Sequence, residues 1–137
     1  MTDKKKSKFV VLGAGSWGTA LAILLARNGH QVSLWTRKDE FAHSLATSRT
    51  NDRYLPGIDL PESIHISSDL TELLTETCEV LVAVPSSGFR SILETIKPII
   101  PQNSRLVWAT KGVEHGSIKL MHEVVSAVLH ELQASGV

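Results

Sequence analysis

Phe9-Val10-Val11-Leu12 runs straight into Gly13-Ala14-Gly15-Ser16-Trp17-Gly18 and then into Thr19-Ala20-Leu21-Ala22-Ile23-Leu24-Leu25-Ala26-Arg27. A short apolar run, a glycine-spaced turn and a stretch of good helix formers read as strand, loop and helix. The three glycines serve different ends, since Gly13 allows the tight turn, Gly15 lets backbone approach a pyrophosphate, and Gly18 lets the helix pack closely on the strand. The first N–H groups of such a helix lack intrahelical acceptors and its dipole is positive at that end, so an anion is favoured there. Glycine spacing alone is weak evidence. The strand before it and the helix after it supply the required context, and together they predict dinucleotide binding through Gly13, Gly15 and Gly18.

Working outward, the chain has 137 residues, which suits one domain with a real core but is short for a complete two-domain enzyme. Fourteen basic against fourteen acidic residues leave no net charge, so nothing steers it toward nucleic acid or an acidic membrane surface. Residues 1–7, with Lys4-Lys5-Lys6, read as a disordered basic tail, and 8–137 as the dinucleotide-binding domain. A single cysteine, Cys78, excludes an internal disulfide and suits a reducing, cytoplasmic setting. The N-terminus lacks a signal-peptide pattern, and no run reaches the roughly 20 apolar residues needed to span a bilayer. A soluble, cytoplasmic protein is expected.

Beyond the first helix, Asn28-Gly29 reads as a helix stop, Gln31 to Trp35 as a second strand and Asp39 to Ala46 as a short helix. Thr47 to Leu60 reads as a polar loop and Ile64-His65-Ile66 as a brief strand. Asp69 and Glu72 have the form of a capping box before Leu70, Leu73 and Leu74. Val80 to Val84 is a near-continuous apolar run of the kind buried on both faces of a parallel sheet. Phe89 to Ile96 reads as a helix stopped by Pro98 and Pro101, and Arg105 to Ala109 as the next strand. Ser117 caps a helix expected from Ile118 to about Leu132, whose wide apolar stripe predicts burial of most of its surface. Such alternation predicts an α/β fold: a Rossmann-like, doubly wound, mainly parallel sheet with helices on both faces.

In that architecture ligands bind beyond the carboxyl ends of the strands. The loops at that edge are the glycine loop, Thr36-Arg37-Lys38, Pro85-Ser86-Ser87 and Thr110-Lys111-Gly112-Val113-Glu114. An NAD site usually ends its second strand with an acid about 20 residues past the glycines, whereas an NADP site uses Arg. Arg37 stands there with Lys38 behind it, a planar fork and a point charge suited to a phosphate, so NADPH is favoured. Asp39 can still meet a ribose hydroxyl, which keeps NADH open. Trp17 either walls the cleft or fills a gap between loop and helix, while Trp35 and Trp108 suit core or adenine-side packing. Lys111 directly follows the fifth strand and would offer a cation to a substrate.

Other motifs fail. His122-Glu123 lacks a second histidine, since Ser126 stands four residues on, and the remaining histidines and Cys78 have no metal-ligand spacing. Ser86 and Ser87 lack the glycines of a nucleophile elbow, and no Walker lysine follows the glycine loop.

Five blocks in order, Gly13-Ala14-Gly15-Ser16-Trp17-Gly18-Thr19-Ala20-Leu21, Trp35-Thr36-Arg37, Asn51-Asp52-Arg53-Tyr54-Leu55-Pro56-Gly57, Val84-Pro85-Ser86 and Thr110 to Glu114, resemble bacterial NAD(P)-dependent glycerol-3-phosphate dehydrogenase. The resemblance runs from about Lys8 to the end. It implies reduction of dihydroxyacetone phosphate to sn-glycerol 3-phosphate for phospholipid synthesis. It also implies that Ser16 and Trp17 contact the cofactor, that Arg37 lies by the adenosine ribose phosphate, that Lys111 meets cofactor and substrate, and that Tyr54 belongs to a loop near the cofactor. The family's helical substrate domain and its catalytic lysine would lie beyond Val137, so no catalytic residue is expected within the chain. The expectation is an isolated cofactor domain, ending before the next strand, that binds without turnover and whose apolar final helix favours self-association into a homo-oligomer. Two alternatives stay open: the cofactor domain of another 3-hydroxyacid or ketopantoate-type dehydrogenase, and a non-catalytic NADP-sensing module.

Overall fold

A computed structural model describes residues 7–109, 121–128 and 134–136. In chain order the elements are β1 (Lys8–Leu12), α1 (Ser16–Arg27), β2 (Gln31–Trp35), α2 (Asp39–Ser48), β3 (Thr50–Asn51), β4 (Leu55–Asp59), β5 (His65–Ser67), α3 (Leu70–Leu73), β6 (Glu79–Val82), α4 (Ser86–Ile96), β7 (Arg105–Trp108), α5 (Met121–Val128) and β8 (Ala134–Gly136). Six strands form one sheet in the order β5-β2-β1-β6-β7-β8, every pairing parallel. This is the doubly wound order, growing outward in both directions from β1 and β6.

Pleating explains the two cores. Successive residues of β1 face opposite ways, so Val10 and Leu12 join one apolar cluster and Val11 the other. The first cluster holds α4 through Phe89, Ile92, Leu93 and Ile96, α5 through Val124, Val125 and Val128, and α3 through Leu70 and Leu73. The second holds α1 through Ala22 and Ile23, and α2 through Ala42 and Leu45. Helices therefore cover both faces, as the alternation predicts. Each large buried side chain such as Phe89 or Leu93 contributes about 1.5–3 kcal/mol by leaving water. Cys78 is a free thiol inside the first cluster, and burial pushes its pKa up.

Several elements differ from the sequence expectation. The stretch from Thr47 to Leu60 is a polar loop only in part: it carries the end of α2 and the antiparallel pair β3–β4, whose register shifts between Thr50 and Asn51. A two-residue strand is too short to show period-2 patterning, and Pro56-Gly57 ordinarily argues against a strand, but β4 lies at the surface where its outer edge needs no partner. The capping box is half made. Asp69 accepts from the N–H groups of Thr71 and Glu72 at 3.0 and 3.3 Å, whereas the Glu72 carboxylate turns to His65 and Ser67 and leaves the Asp69 N–H to Ser67 Oγ.

The run 80–84 leaves the sheet after Val82, and α4 begins at Ser86, three residues before Phe89, because Pro85 supplies an extended entry (φ −58°, ψ 155°). Helix α5 spans Met121–Val128, with Glu123, Ser126 and Ala127 exposed and Val124, Val125 and Val128 buried; the expected cap Ser117 and the remainder of the expected helix, residues 118–120 and 129–132, lie outside the described residues. A further strand, β8, pairs with β7 where the chain was expected to end without one. Its Ala-Ser-Gly sequence has no apolar signature, and backbone pairing alone defines it. Of the expected tail only Ser7 is described; its N–H donates to His30 Nδ1 at 3.2 Å.

Candidate functional site

The carboxyl ends of β1, β2, β6 and β7 open into a cleft of about 1210 Å³. Its floor and walls come from the glycine loop (Gly13 to Trp17), the end of β2 (Trp35 to Lys38), the β6–α4 junction (Ala83 to Gly88), Ser91, Ile92 and Thr95 of α4, Phe41, Arg53, Tyr54 and Ala109. Three of the expected loops therefore converge, and Ala109 stands at the entry to the fourth. Lys111 and the rest of that loop lie outside the described residues.

The glycine loop is held by backbone. Gly13 has φ +117°, and its N–H donates to Trp35 O at 2.9 Å. A Cβ on Gly13 would come within 3.0 Å of the Ala83 carbonyl group. A Cβ on Gly18 would sit 1.9 Å from Gly13 O and 3.3 Å from Ala83 Cβ, so Gly18 is required mainly by the loop's own carbonyl, with the neighbouring β6 end second. Gly15 contrasts with both: its backbone is extended (φ −76°, ψ −170°), and a Cβ there would meet nothing within 4 Å. The space in front of Gly15 is open, and α1 begins at the next residue. No side chain caps this helix, and its first i→i−4 bond is Thr19 N–H to Gly15 O at 3.0 Å, so the N–H groups of Ser16, Trp17 and Gly18 have no acceptor within the helix. This cradle suits a pyrophosphate in shape and polarity.

The charged wall is the other half. Arg37 and Lys38 are exposed at the end of β2, and Arg53 lies beside Tyr54, its guanidinium carbon 5.1 Å from the ring centroid. Phe41 also meets the Tyr54 ring, the centroids 5.9 Å apart and the planes nearly edge-on. Asp39 lies outside the cleft lining, and one of its carboxylate oxygens accepts from Ser68 Oγ at 2.9 Å. Trp17 is 53% exposed and lines the cleft, so it walls the cleft and fills no gap behind the loop. Trp35 is buried in the first core cluster, donates Nε1–H to Ser68 O at 3.0 Å, and is among the residues lining the cleft. Trp108 packs edge-on to Phe89 in the core.

Sequence reasoning missed how the Thr50–Asp59 hairpin is tied to the glycine loop. Asn51 is 1% exposed; its Nδ2 donates to Ala14 O at 3.0 Å and to Thr19 Oγ1 at 2.8 Å, and its Oδ1 accepts from Tyr54 N–H at 3.3 Å. The contacts reach across 37 residues, and nothing local to Asn51 signals them. Arg49, with φ 58°, anchors the same hairpin from outside through the carbonyls of Ile64 and Glu62, both at 2.9 Å. Among the described residues no group of His, Cys, Asp or Glu is arranged to hold a metal, and no helix is long and apolar enough to cross a membrane.

The sequence profile of the NAD-dependent glycerol-3-phosphate dehydrogenase N-terminus matches residues 8–137. The chain belongs to this family. It is 48% identical over 127 residues to glycerol-3-phosphate dehydrogenase [NAD(P)+] of Nitrosococcus oceani, covering 93% of the chain and 37% of that relative. The crystal structure of the Coxiella burnetii glycerol-3-phosphate dehydrogenase superimposes with a TM-score of 0.88 at 38% identity, over 96% of this chain and 40% of that one. The Plasmodium falciparum glycerol-3-phosphate dehydrogenase follows with a TM-score of 0.82 at 28% identity, over 96% and 40%. This member of the dehydrogenase N-terminus family thus spans about two fifths of the length of the relatives it matches.

Proposed function

We propose that this chain is the cofactor-holding part of an NAD(P)-dependent glycerol-3-phosphate dehydrogenase, acting in the cytoplasm to interconvert dihydroxyacetone phosphate and sn-glycerol 3-phosphate for glycerophospholipid synthesis. One observation carries the cofactor reading: Gly13 and Gly18 have no room for a side chain, while the space before Gly15 is open at the start of α1. The N–H groups at that helix start, from Gly15, Ser16 and Trp17, hold the pyrophosphate by charge-assisted bonds and by the helix dipole. Arg37, with Lys38 behind it, grips a 2′-phosphate and so favours NADPH, with NADH the weaker ligand. Tyr54 and Trp17 present rings to the bound cofactor, and Lys111 supplies the cation on the substrate side.

The cofactor, when bound, supplies the hydride; the chain's own residues bind, orient and exclude water. Among the described residues, the side chains lining the cleft are small, aliphatic, aromatic, hydroxylic or cationic, with neither a carboxylate nor a histidine. Recognition is what these described groups offer, and the chain by itself is proposed to bind cofactor without turning substrate over.

Titration of the chain with NADPH and NADH, followed by calorimetry, tests this. NADPH binds more tightly, and Arg37→Ala weakens NADPH by about tenfold while changing NADH less than about twofold, the loss of one charge-assisted contact. Binding of neither nucleotide defeats the reading. Equal affinity of the parent for both removes the role of Arg37, and reduction of dihydroxyacetone phosphate by the chain alone refutes the binding-only claim.

A further inference from the structure

We infer that Asn51 is a positioning residue for the pyrophosphate cradle: its buried amide sets the direction of the Gly15 N–H and locks the Tyr54 wall to it. The inference rests on the cofactor reading above and goes further into the same site.

A trans peptide holds its C=O and N–H pointing in opposite directions across one rigid plane, and the chain has no cis peptide among the described residues. Ala14 O and the Gly15 N–H belong to one such plane. Asn51 Nδ2 draws Ala14 O toward the protein interior at 3.0 Å, so the Gly15 N–H must face the other way, toward the open space that an added Cβ would enter unopposed. The flanking geometry leaves this plane in need of a fixture. Ala14 is packed into the second core cluster on one side of this plane, but Gly15 on the other side carries no side chain to restrain it.

Both hydrogens of the Asn51 amide nitrogen are spent, one on Ala14 O and one on Thr19 Oγ1 at 2.8 Å, and Thr19 is itself fully buried in the first turn of α1. The loop is thus referenced to the helix whose N-terminus completes the cradle. The remaining polar atom, Oδ1, accepts from the Tyr54 N–H at 3.3 Å. The same N–H also donates to Asn51 O at 3.3 Å, so Asn51 holds the start of the aromatic wall through side chain and backbone together, while its side chain fixes the phosphate-facing peptide. Asparagine meets this demand where aspartate would not, because two donors and one acceptor are needed at a site that is 1% exposed.

The test compares two ligands that share the 2′-phosphate but differ in the pyrophosphate: NADPH and adenosine 2′-monophosphate. Asn51→Ala is expected to weaken NADPH by roughly 10- to 100-fold, the range for losing an aligned donor to an anion, and to change adenosine 2′-monophosphate less than about threefold. Ser104→Ala serves as the control. It removes a different buried hydrogen bond, to Cys78 N–H at the amino-terminal edge of the sheet, and should lower the thermal midpoint while leaving both affinities unchanged. Equal losses for both ligands, or an unchanged NADPH affinity, overturn the inference.

A second measurement needs no variant. In the unmutated chain labelled with ¹⁵N, the Gly15 amide resonance should move downfield with NADPH and stay in place with adenosine 2′-monophosphate; a Gly15 amide indifferent to NADPH overturns the inference even if Asn51→Ala fails to fold. A parent chain that binds NADPH with Gly15 indifferent defeats only the role of Asn51, whereas a parent that binds no NADPH defeats the cofactor reading and this inference together.

Discussion

The glycine loop and the Thr50–Asp59 hairpin touch each other at the rim of one cleft, yet they are built in opposite ways. The loop is fixed by what its residues lack: a Cβ at Gly13 or Gly18 would collide with backbone. The hairpin is fixed by what its residues carry. Asn51 and Arg49 reach out with side-chain amide and guanidinium groups, while Pro56, Gly57, Ile58 and Asp59 of β4 stand in solvent. Where backbone must approach backbone this closely, only glycine fits, and it marks the sequence. Where a side chain positions that backbone from a distance, many residue types look equally plausible until the fold brings the partners together.

Substitutions at three glycines test that contrast. The largest effect is expected at Gly18, where alanine would place a methyl group 1.9 Å from Gly13 O. Neither atom belongs to a flexible side chain, so Gly18→Ala should destabilise the chain by about 3 kcal/mol, measured by urea denaturation. A variant as stable as the parent would show that the loop can shift and that backbone crowding does not define it.

Gly15→Ala comes next and separates stability from binding. Its extended backbone accepts an L side chain and its Cβ meets nothing, so the unfolding free energy should change by no more than about 0.5 kcal/mol. NADPH affinity should nonetheless fall by about 10- to 100-fold, because the methyl group fills the space proposed for the pyrophosphate. Undiminished NADPH binding would move the anion site away from Gly15.

The smallest effect belongs to the hairpin. Gly57 has φ +81° with open space around it, so Gly57→Ala should cost about 1 kcal/mol of backbone strain and no more. A loss as large as that at Gly18 would mean that the hairpin, too, is held by close backbone packing.

Much of the architecture was legible because its signals are local. β2 runs from Gln31 to Trp35 as read, and α1 ends at Arg27 before Asn28-Gly29. Apolar periodicity and turn residues act within a few positions, and a sheet buried on both faces leaves little choice of register. The elements that escaped are those whose stability comes from distant partners. β3 and β4 exist as a pair, β8 exists against β7, and Glu72 abandons the capping box for His65 and Ser67. The site divides the same way. Gly13, Gly15, Ser16, Trp17, Arg37 and Tyr54 meet at the cleft, while the lock at Asn51 depends on a contact that no window of sequence contains.

By itself, then, the sequence determined the parallel α/β class, the glycine turn at the end of β1 and the basic end of β2, since each follows from residue chemistry acting over a few positions. Only the tertiary structure decided that Gly18 answers chiefly to the Gly13 carbonyl, that Trp17 faces the cleft, and that Asn51 joins the hairpin to the loop. The physical reason is that hydrogen bonds and steric contacts are made by atoms adjacent in space, and chain separation carries no record of which atoms those will be.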